Sequence, residues 1–248
     1  MTLIKVFFIV LCLIPFQSYA SNCWYVKHIG IKISNNNSQD KTICHTKYDV
    51  IYNINLHIPV VVTYQITPKM LRSNRKKHRR DFTIDPKINE HSSLLDAYLH
   101  SGYDMGHLAP AASFYYSKRI NQQTYYHTNI APQLPHFNRG VWRSLETNIR
   151  KYVIKHNKTV TVITGAIYSK TDKSLKSVNG EIIDIPSKFY KIIVIGCIPY
   201  SFLIDQKGSS TSKLATYMVS VDDIEQLTHL DFFAGELKDE TIKYKYPF

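Results

Sequence analysis

Four stretches of the chain gather β-branched and aromatic residues into short runs. Ile58 to Ile66 alternates only loosely but is rich in Val and Ile, and Thr159 to Ile167, Phe189 to Ile195 and Tyr200 to Ile204 have the same character. Runs of this length and composition predict strands, here the core strands of one sheet system. A different period runs from Phe137 to His156, where Val141, Leu145, Ile149 and either Tyr152 or Val153 fall at helical spacing. That spacing predicts a helix with one apolar face. A second helix is predicted to begin near Ser220, because a serine followed three residues later by Asp223 resembles a capping box. The chain has no internal repeat, no long low-complexity tract and no Pro/Gly-rich linker, so a single domain is expected.

The first 20 residues stand apart from this pattern. Lys5 precedes an apolar run from Val6 to Pro15, and Ser18-Tyr19-Ala20 places small residues where a signal peptidase reads. The expectation is a cleaved signal peptide over residues 1–20, a domain over 21–248, and a secreted or periplasmic protein. A retained N-terminal anchor is the competing reading. The run is shorter than the about 20 residues that a bilayer of roughly 30 Å requires, so no stable membrane insertion is expected. In an oxidising compartment Cys23 and Cys44 are the natural disulfide pair. Cys12 leaves with the signal segment, and Cys197, inside the apolar run from Ile192 to Ile198, is then expected to be a buried inert thiol.

Charge narrows the class of partner. The formal net charge is +12, and losing residues 1–20 removes Lys5 and no acid, leaving +11. A balance of that sign and size favours polyanions, nucleic acid first and an anionic membrane or wall polymer second. The densest positive stretch holds Lys69, Arg72, Arg75, Lys76, Lys77, Arg79 and Arg80. Taken alone it reads as a solvated loop; its position shortly before the motifs below makes a phosphate-tracking role worth weighing.

Three short segments carry the chemistry. The first is Tyr103-Asp104-Met105-Gly106-His107-Leu108-Ala109-Pro110, an imidazole beside a glycine on a tight backbone. The second is Thr128-Asn129-Ile130-Ala131-Pro132-Gln133. The third runs from Phe137 through Asn138, Arg139, Gly140, Val141, Trp142, Arg143, Ser144 and Leu145 to Glu146. Asn138 stands where the helix is predicted to begin, a position at which asparagine is a good cap whatever else it does. On a straight helix Glu146, eight residues on, lies about 12 Å along the axis and about 80° round from it. A shared close shell is therefore hard to build, but side chains lean toward the helix start, and Glu146 could reach back to a metal-bound water. Its plainer role is a partner for Arg143 or Arg150.

Taken together, the three segments resemble the signature of the DNA/RNA non-specific endonucleases, a family that includes secreted bacterial nucleases and the endonuclease G group. His107 and Asn138 are 31 residues apart and the order of the pieces is kept. The likeness extends to Arg79 through Pro86 before the site, and to Ile163 through Tyr168 and Ile185 through Lys191 after it. The resemblance implies an α+β fold with a ββα-metal (His-Me finger) core, its antiparallel-rich central sheet flanked by helices. It also implies a Mg²⁺-dependent endonuclease, with Mn²⁺ as a substitute ion, acting on DNA and RNA. His107 is then the general base, Asn138 the metal ligand and Glu146 a ligand through water, with Asp104 beside them as a further catalytic candidate. Arg75, Arg79, Arg80, Arg139, Arg143, Asn129 and Gln133 are the substrate-binding candidates. The oligomeric state stays open, a homodimer included.

One position departs from the family pattern. Where the family has arginine between Asp104 and Gly106, this chain has Met105, which brings neither fixed charge nor paired donors. Two other readings follow from that loss: a nucleic-acid-binding protein without turnover, or a phosphodiesterase with a non-polymer substrate.

Overall fold

The computed structural model describes residues 32–33, 40–73, 80–89, 93–168, 173–207, 210–233 and 246–248. The signal segment, Cys12, Cys23, Arg75 and Arg79 lie outside the described residues. Strands β1 (Lys32–Ile33), β2 (Asp40–Cys44), β3 (Tyr48–Asn53), β4 (Ile58–Ile66), β5 (Asp104–His107) and β6 (Ile130–Gln133) come from the first half. From the second half come β7 (Val160–Ile167), β8 (Ser174–Lys176), β9 (Ile182–Asp184), β10 (Lys188–Ile195), β11 (Ile198–Asp205), β12 (Met218–Val219) and β13 (Leu230–Asp231). The helices are α1 (Pro68–Arg72), α2 (Ser93–Asp96), α3 (Lys118–Gln123), α4 (Arg143–His156) and α5 (Val221–Thr228).

Seven strands form one sheet in the order β12-β11-β10-β7-β4-β3-β2, every neighbouring pair antiparallel. Both faces are covered, which explains why its central strands are apolar almost throughout and alternate only loosely. Val62, Tyr64, Val162, Phe189 and Ile193 face the cluster that holds Phe137, Trp142, Leu145 and Ile149, so α4 lies on that side. Val61, Ile163, Tyr190 and Ile192 face the opposite cluster with Ile224 of α5 and Phe232. The fold is α+β, a large antiparallel sheet between helices.

The strands predicted from composition are all present, and of this sheet the reading missed β2, β3 and β12. The helix near Ser220 has its box: Ser220 Oγ accepts from Asp223 N at 3.0 Å and Asp223 returns the bond to Ser220 N at 2.9 Å. The helix predicted over 137–156 is not continuous. Phe137–Trp142 form a wide π turn in which Gly140 leaves helical geometry (φ −102, ψ −107), and regular helix starts at Arg143. Gly165 shows the closeness of the packing, since an added Cβ there would lie 2.5 Å from the Val60 carbonyl oxygen and meet the Tyr190 hydroxyl.

Cys197 corrects an expectation. It is half-buried in the turn between β10 and β11, and both it and Cys44 are disulfide-bonded. The two are not bonded to each other, because β2 and β10 are four strand spacings apart, roughly 19 Å, where a disulfide needs Cα atoms within about 7 Å. Whether Cys44 takes Cys23 turns on a residue outside the described set.

A buried polar knot ties the segment before the motifs to the sheet. Asp85 is fully buried; its Oδ2 lies 2.9 Å from His45 Nε2 and accepts from Thr128 Oγ1 at 2.6 Å, and its Oδ1 accepts from Lys87 N at 3.0 Å. Burial alone would raise the carboxyl pKa, but the bonds from His45, Thr128 and Lys87 hold it below the usual carboxylate value. A depressed carboxylate stabilises the fold above its unfolded pKa of about 3.9, and that contribution is lost as pH falls through the folded value. Asp85→Ala is expected to cost about 3–5 kcal/mol at neutral pH by stranding its partners, and to remove stability that wild type loses only below about pH 4. Urea denaturation at pH 7 and pH 3.5 measures both.

Candidate active site

The first two motifs are the two strands of one small antiparallel ladder. Asp104 pairs with Gln133 and His107 with Ile130. Gly106 is needed because the Gln133 side chain lies across it, and a Cβ there would overlap that amide. Beyond His107 the backbone is clamped by Asn129, whose Oδ1 accepts from Ala109 N at 2.8 Å. Its Nδ2 donates to the carbonyls of Ala109 at 3.0 Å and Thr124 at 2.8 Å, and its own carbonyl accepts from Leu108 N at 3.0 Å. The half-buried His107 ring stands edge-on to Tyr125, 4.8 Å between centroids, and 5.4 Å from Phe82. Its carbonyl accepts from Trp142 Nε1 at 3.3 Å, which fastens the strand to the third motif.

The third motif meets the ladder at Asp104. Arg139 grips that carboxylate with two bonds, Nη2 to Oδ1 at 2.6 Å and Nε to Oδ2 at 2.9 Å, while Asn138 Nδ2 donates to Oδ2 at 2.9 Å. With its amide nitrogen so engaged, Asn138 keeps its carbonyl oxygen for another partner. It sits inside the wide turn and caps no helix, which corrects the capping role offered for it.

Glu146 is buried on α4 with Oε2 4.0 Å from Arg150 Nη1, and its Oε1 has no hydrogen-bond partner among the described residues. Burial pushes its pKa up, and Lys191 and Arg150 pull it back. A buried acceptor without a donor is costly, so a donor from outside the chain fits it. Among the described residues no three His, Cys, Asp or Glu side chains converge on an ion position. The hard donor left available at the meeting of the motifs is the Asn138 amide oxygen. One hard oxygen and room for water suit Mg²⁺, which gives up its water reluctantly.

The remaining candidates divide. Asn129 and Gln133, expected at the substrate, are fully buried; the first holds the backbone and the second supports Gly106, so neither faces solvent. Arg139 is 68% exposed but its fork is on Asp104, Arg143 is exposed, and Arg80 is half-buried. Met105 packs with Phe82, Ile84 and Tyr103 against the cluster of Leu94, Ile130 and Leu175. The reading of the sequence assigned no role to Phe82, Tyr125 or Lys191. Only Lys191 left a signal, a lysine on the inward register of a strand whose neighbours at 189 and 193 are apolar.

Two strands, the first ending in a histidine, followed by a turn that carries an asparagine and leads into a helix, define the class: a ββα-metal, or His-Me finger, nuclease core. The chain matches the DNA/RNA non-specific endonuclease family over residues 27–239, and it belongs to that family. It is 29% identical over 180 residues to human mitochondrial endonuclease G, covering 69% of this chain and 57% of that protein. With a nuclease of Serratia marcescens it shares 27% identity over 230 residues, 88% of this chain and 85% of the other. A solved structure of EndoG in complex with EndoGI matches with TM-score 0.64 at 25% identity, over 78% of this chain and 86% of that one. The chain thus spans a little over half the length of human endonuclease G and most of the bacterial nuclease.

Asn129→Ala would leave three backbone groups beside His107 without their partner. At about 1–3 kcal/mol for each buried group left unsatisfied, the expected loss is several kcal/mol. Thermal denaturation measures it, and a variant within about 0.5 kcal/mol of wild type, the range of an ordinary surface change, would show that the clamp contributes little.

Proposed function

We propose that this protein is a secreted or periplasmic, Mg²⁺-dependent endonuclease that hydrolyses DNA and RNA phosphodiester bonds without sequence preference. The observation that carries this reading is the meeting of His107 and Asn138 through Asp104 and Trp142, with an acceptor oxygen of Glu146 left unfilled behind them. His107 acts as general base and takes a proton from the attacking water; an imidazole suits this at neutral pH. Asp104 orients Asn138 so that its amide oxygen would hold the metal, and Glu146 would accept from a water of that ion. When bound, Mg²⁺, or Mn²⁺ in its place, supplies positive charge at the scissile phosphate and a water able to protonate the leaving oxygen. Arg80 and Arg143, with Arg75 and Arg79 of the basic run, supply phosphate contacts, while Arg139 is held by Asp104, and the net charge of +12 favours a polyanion. The apolar run ahead of Ser18-Tyr19-Ala20 supports export, although several relatives are named as mitochondrial.

The test is incubation of purified protein with plasmid DNA and with RNA, with and without EDTA. Cleavage of both that EDTA abolishes is the expected result, and His107→Ala should abolish it as well. Met105 lies two residues before His107 on the same strand face, so Met105→Arg is expected to speed cleavage about tenfold, the worth of one charge-assisted hydrogen bond. Binding without metal-dependent cleavage would favour the binding-only reading.

A further inference from the structure

Lys191 occupies the middle of β10 with no exposed surface. Phe189 and Ile193, two residues to either side, lie in the apolar cluster beneath α4, and Lys191 shares their face. Its ammonium donates to Thr164 Oγ1 at 3.2 Å and lies 4.2 Å from the centroid of Trp142 and 5.9 Å from that of Tyr64. Burying an ammonium costs several kcal/mol, and a methionine of similar length would avoid that cost, so the charge calls for a reason. Burial pulls its pKa down to about 8, and Glu146 acts in the opposite direction.

The reason is visible in what Lys191 meets. Trp142 is the side chain whose indole N–H holds the His107 carbonyl, and Glu146, one turn further along, carries the unfilled oxygen. Arg150 stands on the other side of Glu146 and Tyr64 lies below. The lysine thus packs directly on Trp142 and acts electrostatically on Glu146, the two side chains through which the third motif reaches the site.

We propose that Lys191 is a positioning residue, whose buried ammonium holds the Glu146 carboxylate and the Trp142 ring in place beneath the metal and general-base residues. It touches no substrate. This rests on the reading of Glu146 as an acceptor for metal-bound water.

The test is a double-mutant cycle on the full chain, with Mn²⁺ binding measured by calorimetry and plasmid cleavage alongside. Lys191→Met is expected to weaken Mn²⁺ binding about 10–100-fold, the range found when a group that orients a metal partner is removed. In a Glu146→Gln background the same change should cost less than about twofold, because the interaction it removes is already gone. Equal losses in both backgrounds, or wild-type affinity in Lys191→Met, would overturn the proposal. Should Lys191→Met fail to fold, the double variant lacks both buried charges and is the safer protein. A match between it and Glu146→Gln supports the proposal, and a further loss overturns it. Glu146→Gln with undiminished Mn²⁺ affinity would overturn the role of Glu146 itself, which a failure confined to Lys191 would not.

Discussion

The Asp104 carboxylate is the contact on which the site depends. Strand β5 and the wide turn before α4 are 34 residues apart in sequence, and neither alone carries a complete constellation. Three hydrogen bonds to two oxygens join them, one from Asn138 and two from Arg139, and so place the strand's histidine and the turn's asparagine in one frame. The same contact selects which face Asn138 offers, since the bonded nitrogen leaves the oxygen to act as donor. Asp104, expected to share in the chemistry, is seen here to orient Asn138, the proposed metal ligand.

Around that contact the fold applies two kinds of rigidity. One is aromatic: Phe137, Trp142 and Phe189 stack within 5.0–5.5 Å between the turn and the sheet, and Phe82 and Tyr125 hold the His107 ring. The other is polar and buried: Asn129 on the backbone after His107, and the Asp85 knot that secures residues 83–87 next to residue 128. Buried polar groups of this kind demand full satisfaction, which is why Asn129 spends its whole amide on backbone. The Glu146 oxygen is one of several buried polar atoms without a hydrogen-bond partner among the described residues, and it is the carboxylate on the helix that follows Asn138.

Much of this was readable from the chain. Runs such as Ile58–Ile66 announced central strands, because burial on both faces demands an unbroken apolar stretch, and Ser220 with Asp223 announced a helix start through purely local bonding. His107, Asn138 and Glu146 were singled out by motif. What the residues alone could not reveal was long-range: that Asn129 and Gln133 are buried inside the fold, that Arg139 is captured by Asp104, and that the buried Lys191 lies under the Trp142 ring. The break at Gly140 escaped the helical period because the apolar positions on either side of the wide turn still face the same cluster. Cys197 was misread because an apolar run was taken as buried throughout, whereas its Gly196-Cys197 tip is a hairpin turn.

The measurement that bears most directly on this account is the Mg²⁺ dependence of plasmid cleavage in Asp104→Ala. Arg139 is largely exposed, so water screens the ion pair and its loss should leave stability close to that of wild type. If Asp104 orients Asn138, the Mg²⁺ concentration for half-maximal cleavage should rise about tenfold or more in a protein that melts near the wild-type temperature. An unchanged Mg²⁺ requirement in that folded variant would contradict the account.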